Sequence, residues 1–115
     1  MIQQLRKYPR FRLEVPVVFS WREPNGSRRR ARGYTRDLSP GGMFLITPRT
    51  PPIGTTIGVD AFLPPISEAA GSWRIVSKGR VVRVEPNPKE GIPGGFAAVS
   101  QRFTLRAIDE QAEPN

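Results

Sequence analysis

Two short clusters hold most of the chemistry that this chain can offer. Arg6-Lys7-Tyr8-Pro9-Arg10 places two guanidinium groups four residues apart, just ahead of the first apolar run. Asp37-Leu38-Ser39-Pro40-Gly41-Gly42 places a carboxylate, a hydroxyl and two glycines between two runs that read as strands. A guanidinium presents a planar fork of donors that grips a phosphate through two bonds or lies flat on an aromatic face. An ionised carboxylate only accepts hydrogen bonds, so Asp37 suits a ligand edge that carries N–H groups. Either cluster alone is commonplace. Two arginines four apart arise easily among 15 arginines. The spacing D-x-S-x-x-G also describes turns in which Asp and Ser bond their own backbone and Gly supplies a positive φ.

Composition closes off most catalysis. The 115 residues include no histidine and no cysteine. That excludes a Ser-His-Asp triad, a histidine base, a thiol nucleophile, a disulfide and the usual zinc ligands. The carboxylates, Asp60 and Glu68 among them, fall at no spacing that pairs an acid with a base. The chain therefore reads as a binding module, with no catalytic residue, metal ligand or cofactor. No apolar run reaches the roughly 18–20 residues of a membrane span, and "MIQQLRKYPR" lacks the apolar centre of a signal peptide. The reading is a cytoplasmic protein that does not insert into membranes.

Charge is unevenly spread. Residues 1–36 carry 10 Lys+Arg against 2 Glu, whereas residues 37–115 carry 8 of each sign, so the whole net charge of +8 belongs to the first third. An anionic partner is expected to meet that third.

The elements that must position the two clusters are strands. Leu13, Val15, Val17, Phe19 and Trp21 alternate with Glu14, Pro16, Val18 and Ser20, which is the period of a strand with one buried face. Pro16 points to an edge or a bulge. Asn25-Gly26 marks a hairpin. Further strands are expected over residues 28–39, 42–47, 55–64, 72–86 and 95–103. Within the fifth, the apolar phase slips from Trp73 and Ile75 to Val82 and Val84, as a bulge at Gly79 would cause. Thr104 to Ala112 reads as one or two helical turns with Leu105 and Ile108 facing inward. The expected architecture is all-β with a small α contribution: a six-stranded antiparallel barrel with a short C-terminal helix. Residues 1–12 form an arginine-bearing arm, 13–110 the barrel and 111–115 a tail. Tyr8, Phe11, Trp21, Trp73 and Phe103 read as packing residues, and Arg28-Arg29-Arg30 as a solvated loop.

In this order, around the first two strands, R-x-x-x-R and D-x-S-x-x-G resemble the two motifs of the PilZ domain family, whose members bind the bacterial second messenger cyclic di-GMP. "YPRFRLEVPVVF" is similar to that family's first strand, and "GRVVRVE" and "GGFAAVSQRF" to its last two. The resemblance runs from Arg6 to about Ile108 and implies a receptor whose ligand is cyclic di-GMP. By it, Arg6 and Arg10 take phosphates or stack on guanine, Asp37 accepts from a guanine edge, Ser39 offers its hydroxyl, and Gly42 lets the backbone turn sharply and approach the ligand. Lys7, Arg36, Gly41 and Arg83 are weaker candidates, Arg83 by stacking on a base. Leucine at position 5, ahead of the first arginine, cannot grip a second ligand molecule, so one ligand per protomer is expected. The resemblance implies output through an unidentified protein partner, with the arm ordered over the ligand. Two alternatives stand beside it: an adaptor of the same family that does not bind nucleotide, and a nucleic-acid-binding small barrel. The second is the less expected, because the aromatic residues are scattered and the apolar faces need them.

Overall fold

The computed structural model describes residues 14–65, 71–86 and 94–108. It contains six strands: β1 (Pro16–Arg22), β2 (Arg28–Ser39), β3 (Gly42–Ile46), β4 (Thr56–Leu63), β5 (Ser72–Glu85) and β6 (Gly95–Ile108). Every pairing is antiparallel, and the order β1-β2-β3-β6-β5-β4 closes on itself through β1 and β4. The all-β, six-stranded expectation therefore holds, strand for strand. The expected arm, residues 1–12, and tail, residues 111–115, lie outside the described residues.

Alternation builds the interior. Val15, just ahead of β1, and Val17 and Phe19 within it point inward, where they meet Ile57, Val59 and Ala61 of β4. Leu38, Met43, Leu45, Val81, Phe96 and Ala98 complete the filling. The Phe19 ring stacks on Trp21 at 5.6 Å between centroids and meets Phe96 edge-on at 5.3 Å. Trp21 and Phe103 pack against this cluster, as read from the sequence. A six-stranded ring is narrower than the eight-stranded barrels whose interior side chains just fill, so ligands must bind on its wall or rim.

Three local expectations need correction. Pro16 is neither at a sheet edge nor in a bulge. It is the first residue of β1 and faces Tyr34 of β2, while pairing with β4 begins only at Val17 and Ala61, so its missing N–H costs no ladder bond on that side. Arg28-Arg29-Arg30 is solvated, as read, but it is the start of β2, as the strand expected over residues 28–39 requires, and not a loop; it stands opposite Arg22, Trp21 and Ser20. No helix follows the last strand within the described residues. Thr104 to Ile108 continue β6 against β5, with Leu105 opposite Ile75 and Ile108 opposite Ser72. An isolated helical turn or two is marginal in water, whereas the first half of β5 offers a ready ladder of donors and acceptors. Leu105 remains 54% exposed, so the inward face that suggested a helix does not form.

The expected bulge near Gly79 is also redistributed. The register does shift between Lys78 and Gly79, but the extra residue is Gln101 on β6. The inward phase of β5 persists through Ser77 and Val81 and breaks at Val82, which is skipped between the Val81–Ala98 and Arg83–Ala97 pairs.

Removal of a core ring should separate from removal of an exposed leucine. Phe19→Ala should lower stability by about 3–5 kcal/mol. Leu105→Ala should stay within about 0.5 kcal/mol. Urea unfolding followed by tryptophan fluorescence measures both, and a large loss at Leu105 would contradict its exposed strand position.

Candidate functional site

The hairpin between β2 and β3 builds one wall. Ser39 and Gly42 pair across the two-residue turn Pro40-Gly41. The Ser39 hydroxyl donates to the Gly42 carbonyl at 3.2 Å, and the Gly41 carbonyl accepts from the Ser100 amide at 3.1 Å. These bonds tie the hairpin tip to itself and to β6. The expectation that Gly42 supplies a sharp turn is not met. Among the described residues the glycines with positive φ are Gly26, Gly54 and Gly71. Gly42 is needed for a different reason: a Cβ there would sit 2.9 Å from the Ala98 carbonyl oxygen, where β3 and β6 run close together.

Ahead of the turn, β2 bulges. Thr35 faces Leu45 and Asp37 faces Phe44, leaving Arg36 as the extra residue. A bulge re-aims the side chains around it. Here the Arg36 Nε lies 3.4 Å from the Asp37 carboxylate, and its guanidinium lies 3.8 Å above the Phe44 ring. Phe44 is buried yet stands apart from the core cluster. Register carries the row onward from Phe44 to Ala97 and from Ala97 to Arg83. The Arg83 guanidinium is 6.0 Å from the same ring and pairs with Glu85 at 3.1 Å. Thus the structure gathers Arg36, Asp37 and Arg83 around one aromatic ring, with Ser39, Gly41 and Gly42 at the adjoining tip.

Arg6, Lys7 and Arg10, with Leu5, Tyr8 and Phe11, lie outside the described residues. Covalent reach still bounds the arm. Val15 is anchored to β2 by two bonds: its amide donates to Thr35 Oγ1 at 3.0 Å, and the Thr35 amide donates to its carbonyl at 3.0 Å. Thr35 lies about 7 Å along the strand from Asp37. Five residues separate Arg10 from Val15 and nine separate Arg6, allowing spans of up to about 18 and 32 Å. Both arginines can therefore reach the wall. Thr35 is the residue that sequence reasoning missed. Its only signal was an inward phase shared with Ala31 in an otherwise polar strand, a weak mark for a threonine.

Among the described residues no group of three His, Cys, Asp or Glu side chains could hold a metal ion, and no helix is long and apolar enough to cross a membrane.

The family model of the PilZ domain matches residues 4–113. The chain belongs to the PilZ domain family. No curated protein matches it. Among solved structures it is similar to the inhibitor of motility MotI/DgrA of Bacillus subtilis, with a TM-score of 0.66 and 18% identity over 90% of this chain. It spans 45% of that protein. It is also similar to the PilZ domain of Escherichia coli YcgR, solved with cyclic di-GMP, with a TM-score of 0.44 and 14% identity over 92% of this chain and 79% of that one.

Two substitutions test how the PilZ hairpin is held. Gly42→Ala should cost about 1–3 kcal/mol, because the new methyl meets backbone rather than a movable side chain. Thr35→Val should cost about 1–3 kcal/mol by leaving the Val15 amide buried without its acceptor. Urea unfolding gives both values, and hydrogen exchange at the Val15 amide should accelerate only in Thr35→Val.

Proposed function

We propose that this PilZ domain is a non-catalytic cytoplasmic receptor for cyclic di-GMP, whose N-terminal arm closes over the ligand and signals to a protein partner. The observation that carries this reading is the meeting of Arg36, Asp37 and Arg83 around Phe44, beside the point where the chain leaves for Arg10 and Arg6. Cyclic di-GMP brings two guanines and two phosphates. Asp37 accepts from the N–H groups of one guanine edge. Arg83 or Arg36 lays its guanidinium plane on a base, a role that either can take because both already stand over an aromatic face. Arg6 and Arg10 grip the phosphates, and Lys7 adds charge. Ser39 joins by turning its hydroxyl from the Gly42 carbonyl toward the ligand, while Gly41 and Gly42 leave the backbone approachable. The ligand thereby bridges the arm and the hairpin, and the partner reads the joined surface.

Calorimetric titration with cyclic di-GMP tests the reading. The wild-type protein should bind saturably with a stoichiometry near one, and GTP should not bind. Arg10→Ala and Asp37→Ala should each weaken binding by at least about thirtyfold, the cost of stranding one partner of a desolvated charged contact. A stoichiometry near two would refute the single-ligand reading drawn from Leu5. A folded wild type that takes up no ligand would overturn the receptor and leave an adaptor that works through protein contacts alone.

A further inference from the structure

Away from the hairpin, the outer wall of the barrel is a cationic surface. Along β2 the residues on the outward phase are Arg28, Arg30, Arg32, Tyr34 and Arg36. Cross-strand register carries that charge sideways, in the row Arg30–Ser20–Gly58–Lys78–Arg102 through β2, β1, β4, β5 and β6. Arg80 stands on the next outward position of β5 after Lys78. Other cations are already neutralised: Arg29 by Glu23, Arg74 by Asp60 and Arg83 by Glu85. Among the described residues, Arg28, Arg30, Arg32, Lys78, Arg80 and Arg102 make no ion pair.

The wall is also hollowed. A depression of about 320 Å³ runs over Ser20 and Gly58, flanked by Arg28 and Arg30 and by Asp60, whose carboxylate is paired with Arg74. Gly58 lies within β4, where a glycine weakens the strand. Nothing in the fold requires it: its φ is not positive, and an added Cβ would meet only the Ser20 hydroxyl, at 3.7 Å. Farther along the same face a second, more apolar hollow of about 490 Å³ is lined by Pro16, Val18, Tyr34 and Phe62. Tyr34 is 59% exposed and lies outside the core.

We infer that this wall is a binding site for single-stranded nucleic acid. Arg28, Arg30 and Arg32 recur about every 6.6 Å along one strand face, an interval that suits successive phosphates of an extended chain. The glycine-floored depression admits the backbone, and Tyr34 with Phe62 offers stacking surface to a base at the end of the same row. A polyanion without aromatic bases would use the charge but not the aromatic hollow. The arginine end of the site stands away from the hairpin, Arg30 being seven residues, about 23 Å, from Asp37 along β2, while Tyr34 at its other end lies three residues, about 10 Å, from Asp37.

Fluorescence anisotropy with a labelled mixed-sequence 20-mer of single-stranded DNA, without cyclic di-GMP, decides the matter. The wild-type chain should bind, with a log–log salt slope near −3 for about four phosphate contacts. Arg30→Glu combined with Lys78→Glu should abolish binding. Two charge-neutral variants separate a built groove from diffuse attraction. Gly58→Leu, which fills the depression, and Tyr34→Ala, which removes the stacking face, should each weaken binding about tenfold. Should Gly58→Leu fail to fold by circular dichroism, Tyr34→Ala, at an exposed position, carries the test. Poly-glutamate of matched charge should not compete. Absence of wild-type binding, wild-type affinity in the folded charge-neutral variants, or equal competition by poly-glutamate would overturn the proposal. Equal competition would point to an acidic protein surface instead.

Discussion

Pairing between β1 and β4 closes the ring, and closure forces each strand residue either into a filled interior or onto the outer wall. The interior is apolar and tightly occupied by Phe19, Leu45 and Phe96. Charged groups are therefore kept outside, while the few buried polar side chains are the small hydroxyls Thr35, Ser39, Thr47 and Ser77, and the order of residues along each strand becomes a pattern on the surface. The arginines of β2 align for this reason: the phase that buries Ala31 and Thr35 presents Arg28, Arg30, Arg32 and Arg36 outside.

Regular alternation alone would make a uniform wall. The bulges supply the exceptions. At Arg36 the extra residue brings a guanidinium beside Asp37 and over Phe44. At Val82 the phase of β5 changes, so that Arg83 faces outward in the Phe44 row while Val84 returns to the core. Arg36 is already on the outward phase, but Asp37 and Arg83 owe their direction to a one-residue slip, and the ring itself sits on β3, whose pairing with β6 demands glycine at position 42. Closure fixes the scaffold and the slips aim the site.

Much of this was legible in the residues. The six strands follow from alternation and turn chemistry, and β1 is clear because Val15, Val17 and Phe19 keep strict period two. The phase slip in β5 was visible too, but not its position: a change of parity shows that one residue is skipped without showing which, and Gln101 lies on the partner strand. The terminal helix was misjudged because Leu105 and Ile108 fit a helical spacing, while the ladder offered by β5 is a tertiary fact. Asp37 and Ser39 stand out by type and spacing. Thr35 does not, because its worth lies in a bond to Val15, 20 residues away. Nor does the outward placement of Tyr34, since in sequence an aromatic residue in a strand reads as core.

The reciprocal bonds between Val15 and Thr35 also act as a strain relief. Tension applied to the chain ahead of Val15 is borne first by that pair, at the end of the ladder, before any β1–β4 bond is loaded. The same pair is the first to yield under load, and it lies two residues from Asp37, so a tug on the arm is delivered to the hairpin wall rather than spread through the ring.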